Sequence, residues 1–321
     1  MNMSSFSSIT KNELSRMQVE DKCCLLAELA ALIRMSGSIQ ISGVGKVNIK
    51  VSTENAAIAR RIFTLLKNLY NIQTEVMVRK NKQLKKNNNY LILVDYLNNS
   101  QQILIDTGIL KQNNNDHYTI SYKIPKDIVK NRCCKRSYIR GAFLGGGSIS
   151  NPEKTYHLEF VTHSQDHSKD LSKLINSFGL NSKIVTRKDN YVVYLKEGEQ
   201  IVDLLNIIGA YSALLRLEDI RILKEVRNNV NRIVNCETAN LAKTINASIR
   251  QIENIEYIDT TIGINNLPSN LIDIARLRLE HREASLKELG MMLNPPVGKS
   301  GVNHRLRKLE QIAEKIKEGR K

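Results

Sequence analysis

Two segments of this chain, 23–49 and 133–159, align with one another without a gap. A chain that repeats itself at a spacing of 110 residues must build the same supersecondary unit twice and pack the two copies together. Each copy begins with an adjacent cysteine pair, Cys23-Cys24 or Cys133-Cys134, and an apolar helical stretch, Leu25 to Met35 or Tyr138 to Leu144. Each stretch runs into a Gly-Ser-Ile triplet, Gly37-Ser38-Ile39 or Gly147-Ser148-Ile149. Glycines inside a helix cost about 1 kcal/mol each relative to alanine, so Gly145-Gly146-Gly147 marks a helix end.

Beyond the glycine the apolar period changes from that of a helix to that of a strand, with Val47, Ile49 and Val51 in one copy and Leu158, Phe160 and Thr162 in the other. A second helix follows (Asn55 to Leu69; His167 to Phe178), then a strand pair (Tyr70 to Arg79 and Tyr90 to Tyr96; Phe178 to Arg187 and Tyr191 to Leu195) and a closing helix. The basic loop Lys80 to Asn89 lengthens the first copy. Each half therefore reads as helix, two strands, helix, two strands, helix. The expected fold class is α+β, a pseudo-symmetric two-repeat domain over 1–212 (repeats about 13–110 and 123–212) with its sheets along one side.

Past Ala210 the pattern is helical. A connector over 213–262 carries an amphipathic stretch through Val226, Val230 and Ile233 and another from Asn240 to Ile255. Its cations, Arg216, Arg221, Lys224, Arg227, Arg232, Lys243 and Arg250, read as a solvated face. The turn-rich run Thr260 to Ser269 opens an all-α domain over 263–321. Its first helix spans about Asn270 to Glu280. The second starts at Ser285, where Ser285 and Glu288 make a capping box. Asn294-Pro295-Pro296-Val297-Gly298 breaks the chain, and Ser300 is expected to cap a third helix with Val302, Leu306, Leu309, Ala313 and Ile316 on one stripe.

The opposite face of that helix offers Ser300, Asn303, His304, Arg307, Lys308 and Gln311. Asn303 and Arg307 have the planar donor and acceptor groups that pair bidentately with base edges, while Lys299, Arg305 and Lys308 can reach phosphates. With Lys287 on the second helix, these are the candidate DNA contacts. Residues 267–321 carry an excess of five positive charges and the whole chain an excess of 16, which favours a polyanionic partner, double-stranded DNA. The turn is longer than in the shortest helix-turn-helix proteins, so the expected variant is sigma-factor region 4-like.

The segment Ile139-Arg140-Gly141-Ala142-Phe143-Leu144-Gly145-Gly146-Gly147-Ser148-Ile149 resembles the signature helix of LAGLIDADG homing endonucleases, in which two such helices pack at the centre of a two-fold domain. Gly141 and Gly145, four residues apart, would let a partner backbone approach. The resemblance implies that in cutting members the residue before the last glycine is an acid holding a divalent metal; here those places hold Ser36 and Gly146. Asp21, Glu28 and Glu153 lie outside the helix ends, and no nuclease chemistry, catalytic residue or cofactor is expected. Neither a P-loop nor a dinucleotide fingerprint fits the glycines.

His157, His163 and His167, with Asp166, read as ordinary surface residues rather than metal ligands. The five cysteines (Cys236 is the fifth) lack C-x-x-C spacing and read as reduced structural thiols, with no metal. The absence of a signal-peptide pattern or long apolar run points to a cytoplasmic, nucleoid-associated protein without membrane contact.

The run Asn231-Arg232-Ile233-Val234-Asn235-Cys236-Glu237-Thr238-Ala239-Asn240 and the segment from Ala284 to Ile316, with Ser285-Leu286-Lys287-Glu288-Leu289-Gly290 and Lys299 to Lys308, are similar to the WhiA family. Together with the repeat, the resemblance spans nearly the whole chain. It implies a bacterial regulator of transcription in sporulation-type development, cell division or chromosome segregation, with other division or regulatory proteins as further partners. A monomer is compatible with the internal pseudo-symmetry. The competing readings are a LAGLIDADG nuclease or RNA maturase, and a division scaffold with incidental DNA affinity.

Overall fold

The computed structural model describes residues 5–43, 46–72, 74–80, 88–112 and 118–319. In chain order the first part comprises α1 (Phe6–Ser15), α2 (Lys22–Ser36), β1 (Gly37–Gly43), β2 (Lys46–Thr53), α3 (Ala56–Tyr70), β3 (Glu75–Lys80), β4 (Asn88–Val94), α4 (Ser100–Asp106), β5 (Leu110–Gln112) and β6 (Tyr118–Ile120). The second copy comprises α5 (Arg132–Gly146), β7 (Gly147–Ile149), β8 (Leu158–Thr162), α6 (Gln165–Asn176), β9 (Lys183–Arg187), β10 (Asn190–Leu195) and α7 (Gly198–Ile208). Helix α8 (Tyr211–Thr261) leads to α9 (Ser269–Glu280), α10 (Leu286–Met292) and α11 (Lys299–Glu318). The basic loop after β3 falls mostly at 81–87, outside the described residues. The chain divides into two compact units, Met1–Lys224 and Glu225–Lys321.

The repeat is realised strand for strand: two four-stranded antiparallel sheets have the orders β1-β2-β4-β3 and β7-β8-β10-β9. The second helices begin at matching caps. Asn55 Oδ1 accepts from the Ala57 N–H at 2.8 Å, and Ser164 Oγ accepts from the His167 N–H at 3.3 Å. Helices α2 and α5 pack side by side as the central seam of the unit. Ala27, Ala30, Ala31 and Ala142 are fully buried there. A Cβ built on Gly141 would lie 2.3 Å from the Glu28 carbonyl oxygen, and one on Gly145 2.7 Å from Met35 Cβ. The glycine spacing thus brings the two backbones together as the sequence pattern predicts.

Three local features differ from the sequence reading. Helix α1 forms in the Ser-rich N-terminus, where only Phe6 and Leu14 are buried apolar residues, too few to register as a period. The antiparallel pair β5–β6 between the copies is a separate two-stranded sheet. The connector is one helix of 51 residues, not two: the chain holds no Gly or Pro between Tyr211 and Ile262, so nothing stops it before Gly263, whose φ is 78°.

The seam holds one buried ion network at Glu28. Glu28 is fully buried halfway along α2, and not beyond the helix end as the sequence reading had it. Its Oε1 accepts from Arg61 Nε at 2.7 Å and its Oε2 from Arg140 Nε at 3.0 Å, so a carboxylate of one copy binds a guanidinium of the other.

His167 overturns the surface reading of the histidines. It is buried, with Nε2 2.9 Å from the Tyr138 hydroxyl and Nδ1 3.2 Å from Thr162 Oγ1. The cap at Ser164 turns α6 so that His167 faces inward, which sequence spacing could not show; His163 and Asp166 stay exposed. Burial, aided by the Arg34 charge, depresses the His167 pKa to about 3. The unfolded chain, with a histidine near 6.5, therefore binds more protons between these values. Stability must rise with pH across that window, by up to about 1.4 kcal/mol per pH unit from this group. Denaturant midpoints of the native chain should fall from pH 6.5 to 5, and His167→Gln should flatten that limb; an unchanged limb would show that His167 does not titrate on unfolding.

In the second unit, Ile255 and Ile258 of α8 pack with Leu271, Ile274, Leu289, Val302, Leu306 and Leu309 into a separate core. The buried Arg278 donates from Nη1 to the Ala284 carbonyl oxygen at 2.7 Å and so holds the α9–α10 turn.

Candidate nucleic-acid interface

The end of the α2–α5 seam is where the LAGLIDADG resemblance would place metal-binding acids. Ser36 Oγ donates to its own helix, to the Leu32 carbonyl oxygen at 2.9 Å. A Cβ on Gly146 would stand 2.8 Å from the Val161 carbonyl oxygen and 2.4 Å from Met35 Cε. The backbone of β8 therefore closes the space that a carboxylate side chain would need. Glu159, paired in register with Ser148 on the neighbouring strand, is a carboxylate that the segment-by-segment reading overlooked. Its oxygens are engaged: Oε1 accepts from Ser148 Oγ at 3.3 Å, and Oε2 lies 3.0 Å from His157 Nε2 and 3.1 Å from Arg187 Nη1. The matching register position in the first copy, opposite Ser38, is Lys50.

In the second unit the capping box forms as read: the Glu288 N–H donates to Ser285 Oγ at 3.3 Å and the Ser285 N–H to Glu288 Oε2 at 2.7 Å. The break that follows is tight, because the Val297 N–H bonds back to the Gly290 carbonyl oxygen at 2.9 Å, and a Cβ on Gly290 would lie 2.1 Å from the Val297 oxygen. Ser300 is not the cap of the third helix. Gly298, extended at φ −66° and ψ 160°, is the N-cap of α11, so the helix begins at Lys299 and Ser300 sits inside its first turn. A residue with helical backbone angles cannot act as the cap.

Val302, Leu306, Leu309 and Ala313 of α11 are buried, while Lys299, Ser300, His304, Arg307 and Lys308 are exposed and Asn303 and Arg305 half-buried. Arg305 lies three residues after the buried Val302 and four before the buried Leu309, so it stands at the margin of the polar face. Lys287 is exposed on α10. No acidic residue lies in the first turn of α11, so its free N–H groups and Lys299 present positive potential at one end of the polar face.

Family models match three segments: the WhiA N-terminal LAGLIDADG-like domain at 22–110, the WhiA LAGLIDADG-like domain at 135–227 and the WhiA C-terminal HTH domain at 230–313. The chain belongs to the WhiA family. Its relatives include a "Probable cell division protein WhiA" from Alkaliphilus metalliredigens, 64% identical over 97% of this chain and 98% of that protein. Another protein of that name, from Thermoanaerobacter sp., is 60% identical over 98% of this chain and 99% of the other. The crystal structure of full-length DUF199/WhiA from "Thermatoga maritima" is similar with a TM-score of 0.61 at 28% identity, covering 97% of this chain and 99% of that one. The α+β repeat followed by a helix-turn-helix is therefore the WhiA architecture. Among the described residues, no helix is long and apolar enough to cross a membrane.

Proposed function

We propose that this protein is a non-catalytic regulator that binds double-stranded DNA through α11 and controls transcription in cell division, chromosome segregation or sporulation. The observation that carries the reading is the polar face of α11, which groups base-pairing and phosphate-binding side chains on a helix whose other face is buried in its own core. Asn303 and Arg307 would read base edges; Lys299, Ser300, Arg305, Lys308 and Lys287 would position the backbone, with His304 beside them. The relatives' names support the cell-division setting. The closed space at Gly146 and the engaged Glu159 support a LAGLIDADG fold that no longer cuts and serves as a second DNA surface or a protein platform. Strand β9, exposed along Lys183–Arg187, suits either use. This reading puts the protein in the cytoplasm on the nucleoid, as a monomer whose two-fold is internal.

The test is anisotropy titration of duplexes selected from a randomised pool, across a salt series with Mg²⁺ present. Asn303→Ala and Arg307→Ala are each expected to cost about 1–3 kcal/mol on the selected duplex and little on random DNA. Lys299→Ala should weaken both alike and lower the salt slope by about one. Equal losses on both duplexes for all three variants, or nicked product on a gel, would refute this assignment.

A further inference from the structure

Sequence spacing alone argues against a metal, because neither cysteine pair has the separation of a zinc motif. The fold brings the two pairs together. Cys23 and Cys24 occupy the first turn of α2, and Cys133 and Cys134 the first turn of α5. The seam helices run parallel, since Gly145 and Gly146 meet Met35 at one end and the four thiols meet at the other. The four Sγ atoms all lie within 4.8 Å of one another, and those of Cys133 and Cys134 are 3.9 Å apart.

Zinc–thiolate bonds of about 2.3 Å in a tetrahedron put the sulfurs about 3.8 Å from each other. The cluster is thus already near that span, and small side-chain rotations complete it. A polynuclear iron–sulfur cluster, which places metal and sulfide between its cysteines, needs a wider cage.

Burial and charge agree with this geometry. Cys24 and Cys134 are buried and Cys23 and Cys133 exposed, the same pattern in both copies, which gives two fixed ligands and two at an open mouth. Neither helix has an acidic residue in its first turn nor a side chain capping its N-terminal N–H groups. Both dipoles therefore point their positive ends at the sulfurs and favour thiolates. Lys22, Arg132 and Lys135 flank the pairs in sequence.

We propose that Cys23, Cys24, Cys133 and Cys134 form a mononuclear tetrathiolate site for a thiophilic divalent cation, Zn²⁺, which clasps the N-terminal ends of the two seam helices. The site lies a full helix length, about 20 Å at 1.5 Å per residue, from the glycine end where an endonuclease would hold its metals. It joins residues 110 apart in sequence, so it acts on the association of the two copies and leaves the helix-turn-helix untouched.

The full chain, reduced and freed of metal, is titrated anaerobically with Co²⁺. The expected result is one Co²⁺ per chain, with the thiolate-to-cobalt charge-transfer bands and intense visible d–d bands of tetrahedral thiolate coordination, bleached by one equivalent of Zn²⁺. Zn²⁺ should also raise the thermal midpoint of the chain. Cys23→Ser with Cys133→Ser changes only exposed positions, so circular dichroism should stay native while the bands and the thermal shift are lost. Cys236→Ser, on the exposed face of α8, should retain both. The proposal is overturned if the native chain shows no tetrahedral spectrum, if the bands survive in the double variant, or if the isolated chain has the mass and peptide map of a disulfide across the seam.

Discussion

Glu28→Ala is expected to destabilise the N-terminal unit by about 3–5 kcal/mol, the cost of removing one partner from a buried ion network. The Glu28 carboxylate is the shared acceptor of Arg61 and Arg140, whose side chains are 7% and 6% exposed. Without it two guanidinium groups face one another inside the seam. Arg61 would keep its bond to the Met17 carbonyl oxygen, and Arg140 those to Ser137 Oγ and the Ile208 carbonyl oxygen, but neither set supplies a countercharge. Replacing all three with apolar residues of similar volume should recover most of the loss, because charge burial and charge pairing are removed together. Urea denaturation and calorimetry would check this, with the transition of the N-terminal unit shifting and that of the C-terminal unit unmoved. A single variant that unfolds like the native chain would mean that water reaches the guanidinium groups.

Gly141→Val should cost a further large amount, roughly 3 kcal/mol, at the low-exposure centre of the same seam, since overpacking forces backbone shifts that a few side-chain rotations cannot absorb. The first added carbon would already sit 2.3 Å from the Glu28 carbonyl oxygen and 3.0 Å from Ala31 Cβ. The helices must separate, and the Glu28–Arg140 bond must lengthen with them. At Gly198 a Cβ meets the Arg221 side chain at an ordinary 3.5 Å, so Gly141→Ala and Gly198→Ala form the matched pair, and the second should leave the midpoint in place. Equal effects at the two glycines would refute the close-approach account.

What the sequence by itself determined is whatever depends on near neighbours in the chain. The two copies, the glycine-terminated seam helices, the capping box at Ser285 and the buried stripe of α11 all rest on spacings of two to four residues or on one repeat length. Periodicity says that a face is apolar without saying what meets it, so tertiary structure decided the rest. It placed Glu28 between two arginines from distant helices, turned His167 inward against Tyr138, and set the Val161 carbonyl where a side chain at Gly146 would have to go. It left Ser300 within α11 because Gly298 takes the cap, and it gathered into one cluster two cysteine pairs that the sequence shows only as matching marks of the repeat. Each of these depends on which elements pack together, across the seam, within one copy or through a turn closing back on its own chain, and such distances are written in three dimensions rather than along the sequence.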